Sequence, residues 1–212
     1  MSGSHPLFVD RIDAGKQLAH KLEDLRNSDT LVIGIPRGGV PVAAEIARQL
    51  QLPLGLELVK KIGHPDNPEY AIGSVSADGI YLRPEAERID MEYIKNETTR
   101  IRSLLHERQE QLTGTATVTD VRNRDVILVD DGIATGSTLL EAIRDLGQRG
   151  AQHIIVAVPV APPGTGIRIG TSCDRFVCLY EPEGFSSVGE YYADFSPVED
   201  EEVTSLFRSF SH

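Results

Sequence analysis

VILVDDGIATGST, residues 126–138, decides how the rest of the chain is read. Its first four residues, Val126, Ile127, Leu128 and Val129, are apolar and mostly β-branched. That is the pattern of a strand buried on both faces, as in parallel sheets covered by helices. The strand ends on two carboxylates, Asp130 and Asp131. Gly132 and Gly136 allow a tight turn and a close approach of ligand to backbone. Thr135, Ser137 and Thr138 add hydroxyls before an amphipathic helix. Free N–H groups at a helix N-terminus, with its partial positive charge, favour a bound anion by roughly 0.3–2 kcal/mol. Carboxylates just upstream suit sugar hydroxyls or a metal ion. An acidic clamp beside a phosphate cradle points to a phosphorylated sugar; the competing reading is a solvated Asp-Asp-Gly turn.

Other phosphate motifs fit less well. A P-loop requires a lysine that this loop lacks, and the GxGxxG dinucleotide fingerprint is absent. A response-regulator receiver also opens with a strand and two aspartates, but no downstream strand-end Asp and Lys complete it here. The length of 212 residues suits one domain with a substantial core, or a domain plus a small accessory segment. No apolar run is long enough to span a bilayer and the N-terminus carries no signal peptide, so a cytoplasmic location without a membrane partner is expected. Cys173 and Cys178 lack metal-site spacing and read as buried free thiols. A net charge of -11 disfavours nucleic acid as a partner, so an anionic substrate needs a local basic pocket.

In chain order, residues 1–7 are small or polar and read as a loose N-terminus. Ile12, Leu18, Leu22 and Leu25 then recur at helical spacing. Residues 31–35 form a short strand that runs into Pro36-Arg37-Gly38-Gly39, and Val42, Ala43, Ile46, Ala47 and Leu50 follow on one helical face. This is a second strand, loop and helix start, now with an arginine whose planar fork matches phosphate oxygens. By itself PRGG is equally a simple β-to-α turn. Residues 54–59 read as a third strand ending in Lys60 and Lys61, and GHPDNPEYAIGSV after it is rich in turn formers. Asp78-Gly79 marks a hairpin turn. Residues 84–112 are helical with a charged outer face. The helix after the key loop has capping-box spacing at Thr138 and Glu141, and Gly150 stops it. Residues 153–160 and 175–180 are two more core strands, while 164–172 hold too many glycines to read as helix. Residues 181–202 carry eight acids and no base, with aromatics interleaved. Alternating strands and helices of this kind give an α/β fold with a doubly wound, mostly parallel sheet.

With these motifs in place, residues 126–138 resemble the phosphoribosyl pyrophosphate (PRPP) signature of type I phosphoribosyltransferases. The resemblance implies a single domain over residues 8–212 with a mobile loop at 63–75, within a loop and hairpin region at 63–83, and a small hood or tail at 181–212. It implies that Asp130 and Asp131 take the ribose, with Gly132, Ala134, Thr135, Gly136, Ser137 and Thr138 around the 5-phosphate. Pro36, Arg37, Gly38 and Gly39, with Lys60 and Lys61, would meet pyrophosphate. Glu69-Tyr70 is similar to a loop pair of adenine phosphoribosyltransferases that works on the base; it reads equally as a loop acid and a packing aromatic. By likeness to the hood of hypoxanthine-guanine enzymes, Phe185 would stack on the acceptor and Asp194 would lie near magnesium, which otherwise binds through the substrate. Packing is the competing role for both. Ala134 replaces the aspartate those enzymes use on the base, and Pro162-Pro163 replaces their 6-oxo reader, so a 6-oxopurine is disfavoured.

The likeness extends over nearly the whole chain to a group sharing FxDRxxAGxxLA (from Phe8), the PRGG loop and GxPxNPE (from Gly63). It implies a Mg²⁺-dependent transferase of nucleotide salvage that moves phosphoribosyl from PRPP to a nitrogen acceptor and releases pyrophosphate, with Asp130, Asp131, Arg37 and Glu69 as its catalytic set. A homodimer is implied in the same way. The alternatives are a non-catalytic PRPP-sensing regulator and another sugar-phosphate-binding protein.

Overall fold

The computed structural model describes residues 6–114 and 119–210. In chain order its elements are α1 (Arg11–Lys21), β1 (Leu31–Gly34), α2 (Gly39–Leu50), β2 (Leu54–Leu56), β3 (Val59–His64), β4 (Asn67–Ser76), β5 (Ile80–Leu82), α3 (Met91–Thr113), β6 (Asp125–Val129), α4 (Ser137–Gln148), β7 (His153–Val160), α5 (Thr165–Gly170), β8 (Arg175–Tyr180) and α6 (Asp200–Phe210).

Five strands pair in the order β2-β1-β6-β7-β8, every neighbour parallel. Alternation sends successive side chains to opposite faces. Leu31, Ile33, Val126, Leu128, Ile154 and Val156 pack under Leu139, Ile143 and Leu146 of α4. Val32, Ile127, Val129, Ile155 and Ala157 pack under Leu18 of α1, Leu22 at its C-terminal cap, and Val42 and Ile46 of α2. Helices therefore cover both faces, as the unbroken apolar strands require. Each such side chain contributes about 1.5–3 kcal/mol on burial. The strand order reverses between β1 and β6, and a crevice opens beyond the carboxyl ends of strands at such a point.

The region after β2 differs from the sequence expectation. Residues 54–59 are not one strand: β2 ends at Leu56, the chain turns, and β3 starts at Val59 in a separate antiparallel sheet of β3, β4 and β5. The turn places Glu57 inward, where its Oε2 accepts from Arg149 Nη1 (2.8 Å). Residues 63–75, read as a mobile loop, are instead largely strand. Register pairs such as Lys61 with Ser74 satisfy their backbone, and Ile62, Ile72 and Val75 pack on Ile94, Ile101 and Leu105 of α3.

This small sheet docks on α4 through polar contacts. Ser74 Oγ donates to Glu141 Oε2 (2.7 Å) and Ser76 Oγ to Asp145 Oδ1, pairing i,i+2 on a strand with i,i+4 on a helix. The expected Thr138–Glu141 capping box is thus replaced: Glu141 is buried and also meets Arg83 and Arg144. Gly136 caps α4 with no side-chain hydrogen bond.

Three further differences have local causes. α3 starts at Met91, not near 84, because Asp90 caps it by accepting from Glu92 N. Residues 165–170 are helical despite their glycines because Glu181 accepts from Gly164 N (3.2 Å) and Gly166 N (2.9 Å). Within the stretch 1–7, Leu7 is not loose: Leu7 N donates to Tyr191 O (2.8 Å); residues 1–5 lie outside the described residues. The tail also holds α6, whose Val203 and Phe207 pack on Val40 and Leu112. No helix among the described residues is long and apolar enough to cross a membrane.

The Glu57 cluster gives a pH prediction. Burial, with Asp145 beside it, pushes the Glu57 carboxyl from the ordinary 4.5 up to about 8. The folded chain therefore holds this proton where the unfolded chain has released it. Stability from this group is complete below about 4.5 and is lost as pH rises through about 8. Glu57→Gln should remove a slope on the order of a few kcal/mol across that window, read by urea denaturation at several pH values.

Candidate active site

Both sequence-predicted loops emerge at the switch point. Residues 35–38 leave the end of β1 and residues 130–136 leave the end of β6, and Ile35 N donates to Val129 O (2.9 Å). The Pro36–Arg37 peptide is cis. Glycine is needed where the loops meet. A Cβ on Gly38 would overlap Asp131 Oδ2, and one on Gly39 would lie 2.6 Å from Val129 O. Gly136 sits at φ +74, a conformation that favours glycine, and turns the second loop into α4.

Beneath Val188 this loop encloses a cavity of about 200 Å³ lined by Asp130 and residues 132–139. The uncapped N-terminus of α4 forms one wall, so amide donors and hydroxyls face a site with the Asp130 carboxyl at its other side. Burial and the charge of Asp131 push the Asp130 carboxyl well up, while the Asp131 N–H it accepts (2.9 Å) opposes the rise. Burial also raises Asp131, opposed by the Arg11 guanidinium. Arg11 Nε donates to Asp131 Oδ2 at 2.8 Å. Two adjacent desolvated carboxylates with one cation are short of donors, a deficit that sugar hydroxyls can fill.

Residues 9–192 match the family described as Phosphoribosyl transferase domain. The chain belongs to that family. The fold agrees closely with a solved structure, that of TT1426 from Thermus thermophilus, which is 39% identical, with a TM-score of 0.86 over 97% of this chain and 99% of that one. "Putative phosphoribosyl transferase Rv0571c" of Mycobacterium tuberculosis is 37% identical over 204 residues, 94% of this chain but 46% of that protein. The chain thus spans about half the length of that curated relative. An amidophosphoribosyltransferase of Staphylococcus aureus is 26% identical over 174 residues, 80% of this chain and 28% of that enzyme.

Within this phosphoribosyl transferase domain the predicted residues are distributed unevenly. Asp130, Gly132, Ala134, Thr135, Gly136, Ser137 and Thr138 all line the one cavity. Asp131 does not; its carboxylate turns to Arg11. Lys60 and Lys61, expected together at pyrophosphate, are split by strand alternation. Lys61 Nζ donates to Ser137 Oγ (3.2 Å), at the first residue of α4, whereas Lys60 lies near Glu97 of α3. Arg37 is half-exposed and points at the tail, 3.3 Å from Glu199 Oε2 and 3.6 Å from Asp200 Oδ1.

The acceptor candidates fall outside the cavity lining. Glu69 and Tyr70 are exposed on β4, with the Tyr70 ring 6.2 Å from that of His64 and no described contact to either loop. Phe185 stacks on Tyr191 at 5.6 Å, and Val188 is the tail residue over the cavity. Asp194 is exposed and accepts from Ser196 N and Oγ, which hold its carboxyl below the usual range.

Sequence reasoning missed Arg11, Tyr192 and Val188. The Asp10-Arg11 pair in the FxDRxxAGxxLA opening was the available signal for the first. Nothing local marked the others.

Proposed function

We propose that this domain binds PRPP across the switch-point crevice and transfers its phosphoribosyl group to a nitrogen acceptor, releasing pyrophosphate. The observation that carries this reading is the single cavity in which the buried Asp130 faces the uncapped start of α4. In this reading the amides and hydroxyls of residues 134–138, with Lys61, hold the 5-phosphate. Asp130 and Asp131 accept from the ribose hydroxyls. The 36–39 loop meets pyrophosphate, with Arg37 released from Glu199 and Asp200. As the bond from C1 to pyrophosphate breaks, C1 gains oxocarbenium character and negative charge grows on the leaving group. Asp130 and Asp131 then hold the ring while the loop N–H groups and Arg37 face that charge, so positioning and electrostatics do the catalytic work.

The residues fit a magnesium ion carried by substrate oxygens. Among the described residues no three His, Cys, Asp or Glu side chains are grouped to hold a metal, and Asp194 already accepts two hydrogen bonds from Ser196. Such an ion supplies positive charge to the leaving pyrophosphate.

One observation favours a second reading, a PRPP-binding regulator without turnover: Arg37 is engaged by the chain's own acids. Two measurements separate the readings. PRPP with Mg²⁺ should raise the thermal midpoint, and pyrophosphate should be released with at least one base in a panel of nitrogen acceptors. A shift without release for any acceptor supports the regulator. No shift with or without Mg²⁺ overturns both.

A further inference from the structure

Arg11 opens α1, 120 residues from the acid it touches. The pair is largely buried, with side-chain exposures of 12% for Arg11 and 16% for Asp131. Arg11 Nη1 donates to Ser196 O (2.8 Å), and the guanidinium lies 4.0 Å from the Phe195 ring centroid. The same tail segment grips Asp131 from its backbone side, where Tyr192 OH donates to Asp131 O (2.7 Å). Tyr192 is itself wedged between Phe8 and Phe195, at 5.1 and 4.9 Å. On the opposite side the carboxylate lies against Gly38, where a Cβ would overlap Oδ2. Three separate segments therefore fix one carboxylate, while its neighbour Asp130 lines the cavity.

We propose that Arg11, held by residues 192–196, is a positioning residue that orients Asp131 beside Asp130 for the sugar hydroxyls of PRPP. This rests on the PRPP reading of the cavity. The tail thus acts on the Asp131 carboxylate through Arg11. The two acids become unequal: Asp131 has a fixed cation and Asp130 has none. The groups facing Asp131 are Arg11 from α1, Asp130 on its own loop and Tyr192 from the tail; Asp194 faces Arg11, and Asp10 faces Tyr192. Without Arg11 the buried Asp131 carboxyl loses the main influence opposing its rise, with only a backbone N–H left to hold it down, so it takes up a proton at higher pH.

The test is calorimetric binding of PRPP with Mg²⁺ to the wild-type chain, Arg11→Met, Arg11→Lys, Asp131→Asn and the Arg11→Met/Asp131→Asn pair. Arg11→Met should weaken binding about tenfold or more, with the loss shrinking as pH rises and Asp131 ionises. Arg11→Lys keeps the charge and should lose less. In the Asp131→Asn background, Arg11→Met should cost little more. A loss that is flat with pH, or the same in both backgrounds, overturns the proposal. The carboxyl-carbon NMR titration of Asp131 reads the pair without PRPP. Its midpoint should rise in Arg11→Met, or in Arg11→Lys by less, and an unchanged midpoint overturns the proposal. A wild-type chain that binds no PRPP but shows that rise refutes the PRPP reading and the role at sugar hydroxyls together, leaving only the ion pair.

Discussion

Asp130→Asn combined with Asp131→Asn is expected to weaken PRPP binding by a factor on the order of 10²–10⁴ and to leave the fold intact. A carboxylate accepting from a sugar hydroxyl contributes about 1.5–3 kcal/mol, so two lost acceptors give roughly 3–6 kcal/mol. The amides are nearly isosteric with the acids, and the one at 131 fits between Gly38 and Arg11. They also remove two desolvated, mutually repelling charges, which stabilises the folded state, against the loss of the Arg11 counter-ion. Calorimetric titration with PRPP and thermal denaturation of the same sample read both effects. Unchanged affinity for PRPP would remove the acid pair from the site.

The second large effect is on stability, at Arg149→Met. Arg149 is 10% exposed and its Nη1 donates to Glu57 Oε2 (2.8 Å) and Asp145 Oδ2 (3.2 Å), while Nη2 donates to Thr119 O (2.6 Å). It thereby ties the end of α4 to the turn after β2 and to the segment leading into β6. Removing the cation leaves the Asp145 carboxylate without its guanidinium, beside a Glu57 carboxyl that burial holds up to about 8, in a site closed to water. Stranding a buried charge in this way costs about 3–5 kcal/mol. For a chain of this size that lowers the thermal midpoint by roughly 6–20 °C. Arg149 lowers the Glu57 carboxyl, so without it Glu57 holds its proton more tightly and the deficit should grow as pH rises through about 8. Adding Glu57→Gln should restore part of it. A midpoint within about 2 °C of wild type at neutral pH would show that the trio contributes little.

The same cluster bears on how the site is built. Glu141 and Asp145 of α4 receive Ser74 and Ser76 of β4, and the start of α4 is the wall of the phosphate-like cavity. The small sheet that carries Lys61 to Ser137 is therefore referenced to the helix it serves. In sequence, the turn formers of residues 63–75 pointed to a loop, because glycine, proline and asparagine report local chain freedom. Backbone pairing with β3 and burial against α3 overrode that preference.

The sequence by itself determined the two strand-loop-helix units at 31–50 and 126–148, the core strands at 153–160 and 175–180 and most of the loop that lines the cavity. Each of those features is written in a dozen consecutive residues: β-branched runs, paired acids, glycines at the turn and apolar positions at helical spacing. Only the tertiary structure decided that β1 and β6 lie side by side, that Asp131 belongs to Arg11, that Glu141 belongs to Ser74 and that Lys61 parts from Lys60 to reach Ser137. These side-chain pairings join residues 67–120 positions apart. Local preference carries no information about which distant partner a side chain meets; the strand order and the burial of charge settle it, since a desolvated acid is stable only where the fold brings a donor.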